Sequence, residues 1–209
     1  DAIGSQFGLK YYLESAYPDK KIYCLGSNCP VSQRNNVTMD EVDDDVVASS
    51  LAIVLDTSNA ARIDDERYKF AKKSIRIDHH VQVETICDEE WIDDKASATC
   101  ELLALYLQEN KVNIPVESAL MLYLGLTADN IRFTTNNVRP ATFDAAKYLF
   151  EQGVDVTKVE QLNFSKSIED YRYETVVRNH TILKNKFLYS ILECEDYEEY
   201  GLNFTDAKD

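Results

Sequence analysis

Two strand-like stretches, one of them a continuous apolar run and each ending at an acid, constrain this chain more than any other feature. "LAIVL" at residues 51–55 is the most continuous apolar run in the first half and stops at Asp56. "SIRI" at residues 74–77 stops at Asp78, which is followed by His79 and His80. A run of apolar residues without polar alternation is the pattern of a strand covered on both faces. The stretch between them, through "DDERYKFAKK", reads as helical, and strand, helix, strand is the order of a parallel sheet. Ligands of such sheets gather outside the carboxyl ends of the strands, so both acids are expected on one rim.

The rest of the chain reads mainly as helix. After "DAIGS", the positions Phe7, Leu9, Tyr12, Leu13 and Ala16 recur at helical spacing up to Pro18. "KKIYCLG" reads as a short strand, and the acidic "DEVDDD" as a solvated loop or helix start, since it lacks the glycine and terminal glutamate of a calcium loop. A helix is expected to begin near Ser97, with Ser97 or Thr99 near its cap. "PVESALMLYLGLTADN" is apolar on most faces, hence a buried helix with Pro115 near its start, and it leads into Asp129. Further helices fit "RPATFDAAKYLFEQG", closed by Gly153, and "IEDYRYETVVRNHTILK"; "KFLYSILECE" alternates like a strand. The expected fold class is α/β, a mostly parallel sheet flanked by helices and followed by a helical portion of the same domain. That domain is expected to span 1–194, with 195–209 as a linker.

Length and charge limit what such a domain can bind. The 209 residues suffice for one sizeable domain, and a composition 44% hydrophobic and 28% charged is that of a folded protein. The 37 acids outnumber the 22 bases, giving a formal charge of −15 that argues against long DNA or RNA as a partner. An anionic substrate then needs a local cationic site, which a bound divalent metal supplies. The five cysteines are odd in number and form no C-x-x-C pair, so reduced thiols in a cytoplasmic protein are expected, and no apolar run approaches the ~18 residues of a membrane span.

Taken alone, Asp78-His79-His80 carries little weight, because a histidine at a strand end is often just hydrogen-bonded to its neighbours. Asp56 in its apolar context changes this, since a carboxylate there must be paired or bind a cation. Asp1 and Asp129 also flank expected element ends. Carboxylates with one imidazole suit Mn²⁺, Co²⁺ or Mg²⁺, and two ions ~3.5–4 Å apart generate a hydroxide and clamp the oxygens of an in-line displacement at phosphorus. His180, on an expected helix away from these residues, and the pair Cys24 and Cys29 are assigned no such role. Arg139 is read as capping the helix after it at least as readily as meeting a phosphate.

Four stretches in order, "DAIGSQFGL", "LAIVLDTSN", "DHHV" and "LGLTADNIRF", resemble the DHH-family phosphoesterases, specifically the bacterial nano-RNA exonucleases that also dephosphorylate 3′-phosphoadenosine 5′-phosphate. The resemblance extends into "KASATCELL" and "NVRPATFDAAKYLFEQGVD". It implies a two-Mn²⁺ site, with Mg²⁺ or Co²⁺ as substitutes, in which Asp1, Asp56, His79 and Asp129 hold one ion and Asp56 bridges to the other. It further implies that His80 contacts the scissile phosphate, that Arg132 pairs with substrate phosphate, and that Asp78 orients the histidines. Gly4 and Ser5, directly after Asp1, present backbone toward an anion or simply cap a helix; the two readings stand even.

Two departures accompany the likeness. The family's first motif is H-x-x-x-D-x-D, of which Asp1 matches only the last acid, so a preceding segment is expected. The family's glycine-rich, histidine-containing accessory domain has no match here, so 195–209 is read as a linker toward it. The expected activity is Mn²⁺-dependent hydrolysis of short oligoribonucleotides or a nucleotide 3′,5′-bisphosphate by a two-metal-activated hydroxide. The alternatives are a cyclic or linear dinucleotide phosphodiesterase, a pyrophosphatase or exopolyphosphatase of the same superfamily, or a non-catalytic metal- or nucleotide-binding module. A homodimer is left open.

Overall fold

In the computed structural model residues 1–198 are described. Along the chain run α1 (Ala2–Ala16), α2 (Pro30–Arg34), α3 (Asp44–Ser49), β1 (Leu51–Leu55), β2 (Lys73–Asp78), β3 (Glu89–Ile92), α4 (Thr99–Glu109), α5 (Val116–Asp129), α6 (Pro140–Glu151), α7 (Val156–Phe164), α8 (Ile168–Asn179), β4 (Thr181–Lys184), β5 (Phe187–Ser190) and α9 (Cys194–Glu198). Two compact units share the span read as one domain: the first is Asp1–Asn163, and the second begins at Phe164. Most of the expected linker, 199–209, lies outside the described residues.

In the first unit β1, β2 and β3 form a parallel sheet in that order, with Leu51 opposite Lys73 and Ile75 opposite Glu89. The α/β parallel class expected from the two strand-like stretches is the one observed. All three strands run out at one rim, where Asp56, Asp78 and Asp93 sit: Asp56 N donates to Ile77 O at 3.1 Å and Asp93 N to Asp78 O at 3.2 Å. The link from β1 to β2 differs from expectation, holding 3-10 turns at Ala60–Arg62 and Glu66–Phe70 and no α-helix. Tyr68 is the only residue of the second turn that is buried, and Asp65 accepts from Arg67 N, closing a local turn. Such a stretch offers too little apolar surface to anchor a full helix.

"KKIYCLG" is extended but forms no strand. Its Cys24 N donates to Asp40 Oδ2 at 2.8 Å while Cys24 O accepts from Asp40 N at 2.7 Å, so one residue satisfies the backbone where a ladder was expected. Buried Cys24 belongs to the core, and burial pushes its thiol up to about 12, which makes it neither ligand nor nucleophile. In the second unit α8 ends at Asn179, where His180 caps it, and the remaining "TILK" pairs with Phe187–Ser190 as an antiparallel hairpin. Asn185, with φ of 57°, supplies the left-handed turn residue that this hairpin needs.

The core is helical. Phe7, Leu103, Leu107, Leu122, Leu126, Leu149 and Val159 are buried together, and α5 is buried along most of its length, as its apolar composition requires. α1 crosses α5 at very short range because glycines face it. A Cβ on Gly4 would lie 2.6 Å from Met121 O and 2.7 Å from Gly125 Cα, and Ser118 Oγ donates to Gly8 O at 2.6 Å. At Gly8 a Cβ would instead meet the Leu122 side chain at 2.6 Å, an obstacle that can rotate. Gly4→Ala is therefore expected to destabilise the chain by about 1–3 kcal/mol and Gly8→Ala by less. Urea unfolding of both variants checks this, and equal losses would contradict the backbone-on-backbone crossing.

Candidate metal centre

The rim of the sheet meets the ends of three helices. Asp1 immediately precedes α1, Thr99 opens α4 and Asp129 closes α5. The Asp1 carboxylate caps α4 from 98 positions away, its Oδ2 accepting from Thr99 N at 2.6 Å and its Oδ1 from Cys100 N at 3.1 Å. The positive end of that helix accounts for an acid whose side chain is only 1% exposed. Ser97 and Thr99, expected near the cap, flank the N-cap position, Ala98, and the Thr99 hydroxyl donates to Asp56 Oδ1 at 3.2 Å.

Asp56 follows β1 with φ of 58°, in the left-handed region that aspartate tolerates better than the branched residues before it. This turns its carboxylate toward the histidines, Oδ1 lying 3.4 Å from His79 Nε2 and 3.8 Å from His80 Nδ1. Burial alone would raise its pKa, but contact with His79 is foremost among the interactions that bring it below the usual value.

His79 Nδ1 lies 3.2 Å from Ala96 O, which fixes the proton on that nitrogen and leaves Nε2 with a lone pair. Nε2 is buried without a hydrogen-bond partner, 3.2 Å from Asp129 Oδ2, 3.4 Å from Asp56 Oδ1 and 3.8 Å from Asp1 Oδ2. A lone pair facing three carboxylates is a set of electron-pair donors with nothing to receive them. A cation resolves it. Donor atoms of Asp1, His79 and Asp129 all lie within 4.8 Å of one another, as do those of Asp56, His79 and His80. Oxygen donors with one or two imidazoles match a divalent ion such as Mn²⁺, Mg²⁺ or Co²⁺, so the residues fit the group. Burial lowers the His79 pKa, while Asp56 and Asp129 raise it by more, so this imidazole holds a proton more tightly than a free histidine.

Asp78 is fully buried and stands behind the pair. Its Oδ1 accepts from His79 N at 2.9 Å, from His80 N at 3.2 Å and from His80 Nδ1 at 2.7 Å. Arg132 sits on a left-handed turn, Ile131, Arg132 and Phe133 having φ of 47°, 56° and 64°, and its half-exposed guanidinium reaches to 3.7 Å from Glu160. Gly4 lies at the helix crossing. Ser5 is fully buried, its N–H donated to Asp1 O at 2.8 Å and its hydroxyl to Ala2 O at 3.0 Å, so neither group is left for an anion and the helix reading of this step stands. Arg139 takes the N-cap position of α6 and donates to Glu101 at 2.6 Å and Asp93 at 2.7 Å. His180 lies in the second unit, 3.0 Å from Asp196.

Fold and site together define a parallel α/β domain with an acid–imidazole centre of metal-ligand composition at its strand ends. The profile described as "DHH family, N-terminal domain" matches residues 1–126. The chain belongs to the DHH family. It is 36% identical over 211 residues to the "Bifunctional oligoribonuclease and PAP phosphatase NrnA" of Bacillus subtilis, covering 99% of this chain and 67% of that one. It is 34% identical over 206 residues to the uncharacterized protein MG371 of Mycoplasma genitalium, covering 97% of this chain and 64% of that one. A crystal structure of an exopolyphosphatase-related protein from Bacteroides fragilis superposes over 100% of this chain and 66% of its own, with a TM-score of 0.86 at 21% identity, which bears on the fold. The chain thus spans about two thirds of the length of these relatives. No described helix is long and apolar enough to cross a membrane.

Converging carboxylates repel one another when no cation is bound. Asp129 is the one of the three whose side chain is 36% exposed, against 1% for Asp1 and 10% for Asp56. Asp129→Asn is accordingly expected to raise the stability of the chelator-treated protein at pH about 9 by roughly 0.5–2 kcal/mol, as active-site relief commonly does. Thermal unfolding in EDTA checks it, and a loss of stability would show the cluster to be self-sufficient.

Proposed function

We propose that this chain carries the metal-holding domain of a divalent-cation-dependent phosphoesterase that hydrolyses short oligoribonucleotides, a nucleotide 3′,5′-bisphosphate, or both. The observation that carries the proposal is the buried, unpartnered Nε2 of His79 among Asp1, Asp56 and Asp129. The name of the Bacillus subtilis relative supports the substrate class. In this reading residues 1–194 act as the catalytic domain and 195–209 lead out of it.

Asp1, Asp56, His79 and Asp129 would hold a divalent ion, Mn²⁺ by preference with Mg²⁺ or Co²⁺ as substitutes. Bound ions supply an acidified water and charge stabilisation at a phosphoryl group. The side chains do the positioning. His79 is held by the Ala96 carbonyl, and Asp1 by the N-terminus of α4, so neither must reorganise when charge changes at the site. His80 commits Nδ1–H to Asp78, so that the protonated ring offers Nε2–H to a phosphoryl oxygen. Arg132, on its left-handed turn, offers a planar fork suited to a second phosphate. The formal charge of −15 favours small anions over long polyanions, which meet repulsion over their whole length.

Mn²⁺ at about 100 times its dissociation constant is expected to stabilise the wild-type chain by about 2.7 kcal/mol. His79→Ala loses that shift. His80→Ala retains it, while turnover of a diribonucleotide falls by roughly 10²–10³-fold, the range for removing one donor to a developing oxyanion. The measurements are thermal unfolding with and without Mn²⁺, and product formation from a diribonucleotide, a nucleotide bisphosphate and pyrophosphate. Rapid cleavage of pyrophosphate with no action on the diribonucleotide overturns the substrate assignment. A Mn²⁺ shift that survives His79→Ala overturns the site.

A further inference from the structure

One fully buried cation stands two residues before Asp78 and has no part in the roles above. Arg76 and Asp78 lie on the same face of β2, as an i, i+2 pair must, and both side chains are 0% exposed. Arg76 Nη2 donates to Asp78 Oδ2 at 2.7 Å. Its Nη1 donates to Glu84 O at 3.1 Å and lies 3.6 Å from Glu90 Oε1. Glu90 is itself anchored, the same oxygen accepting from Ile86 N at 2.7 Å and Cys87 N at 3.2 Å.

The two oxygens of Asp78 thereby do different things. Oδ2 faces the guanidinium, and Oδ1 takes the three donors of the histidine pair, including His80 Nδ1. A lone buried carboxylate could rotate or change which oxygen accepts. With one oxygen held by a buried arginine, the other is fixed in place as the acceptor. An acceptor fixed at Nδ1 selects the ring tautomer and the ring plane.

We propose that Arg76 is a positioning residue: by holding Asp78 Oδ2 it keeps Oδ1 as the acceptor for His80 Nδ1–H, which fixes the ring so that Nε2, when it too carries a proton, donates to the substrate phosphate. The inference rests on the reading of His80 given above. Arg76 touches neither substrate nor ion. It acts through Asp78 on the orientation of one ring, which is why it recurs in no ligand set and belongs to the strand before the histidines.

The test separates this role from plain strand stability. In ¹⁵N-histidine-labelled chain loaded with diamagnetic Mg²⁺, long-range proton–nitrogen correlations report the His80 tautomer without any turnover. Wild type is expected to show a single Nδ1–H ring, Arg76→Met a mixture of both tautomers, and Arg76→Lys, which keeps one charged donor, a ring close to wild type. With a diribonucleotide, Arg76→Met is expected to lower kcat by about 10–100-fold, the usual cost of losing an outer partner, with KM within about threefold. The Mn²⁺ thermal shift, which reports His79 and the carboxylates, is expected to persist. In a His80→Ala background Arg76→Met is expected to have no further effect on kcat.

A folded Arg76→Met variant that keeps the wild-type tautomer overturns the proposal. So does an additive effect of Arg76→Met in the His80→Ala background, and Arg76→Gln, which keeps a neutral donor and is expected to give the same tautomer mixture, takes its place in both measurements if Arg76→Met does not fold. Absence of turnover in the wild type counts against the phosphoesterase reading and leaves the tautomer result to decide the role of Arg76.

Discussion

A buried imidazole lone pair aimed at three carboxylates has only one resolution, a positive charge between them, and the surrounding structure is arranged around that requirement. His79 cannot turn away, because Ala96 O holds its other nitrogen, and Asp1 cannot turn away, because two amides of α4 hold its oxygens. The donors are therefore convergent before anything binds. Without a metal ion the raised pKa of His79 describes the same demand met by a proton.

That convergence depends on a helix crossing some distance from the rim in sequence. Asp1 reaches the start of α4 only because α1 lies directly against α5, and it lies there because Gly4 faces Gly125 without a side chain on either. A Cβ on Gly125 would sit 2.4 Å from Cys100 Sγ and 3.1 Å from Asp1 Oδ1. The same glycine therefore keeps α1, α4 and the carboxylate in register, and Asp129 closes the helix to which it belongs. Packing and ligand geometry are here one constraint, so a methyl group at the crossing perturbs both.

Much of this was legible in the amino-acid order, for identifiable reasons. The run ending at Asp56 reads as a doubly covered strand from its composition, the stretch ending at Asp78 as its neighbour from the order of elements, and the observed parallel register bears out the pairing. The helices at Phe7 and Leu103 carry apolar residues at helical spacing, that at Leu122 is apolar on most faces, and all three appear as expected. "EEWI" was not legible as β3, since with Trp91 partly exposed and Glu89 paired to Lys73 it shows no apolar alternation; it is a strand because β2 offers it an edge. "KKIYCLG" failed in the opposite sense, its composition suiting a strand while Asp40 satisfies the backbone. Within the site, residue types pointed to the four candidate ligands and to Asp78. The roles of Thr99, the Ala96 carbonyl and Arg76 are contacts between distant segments, and no local pattern encodes them. The Gly4-Ser5 step was open between an anion site and a helix start, and the contacts of the Ser5 hydroxyl and amide within the first turn of α1 are not visible in the sequence.

The polar groups near the rim sort into two kinds by what answers their charge. Asp78, Glu101 and Asp93 each meet a guanidinium, from Arg76 or Arg139, and a carboxylate matched by a permanent cation is a structural element with its charge already neutralised. Asp1 and Asp56 meet dipoles instead, two amide N–H groups for one and a threonine hydroxyl for the other. Dipoles orient a carboxylate and lower the cost of burying it, yet leave its unit of charge in place. In a chain with 22 basic residues, assigning Arg76 and Arg139 to the supporting acids and no arginine or lysine to Asp1 and Asp56 keeps negative charge concentrated at the one point where an exchangeable cation can enter. The same division explains how a strongly acidic protein can attract a phosphate: the attraction resides in what the cluster binds, and the fixed cations of the fold are occupied in holding that cluster still.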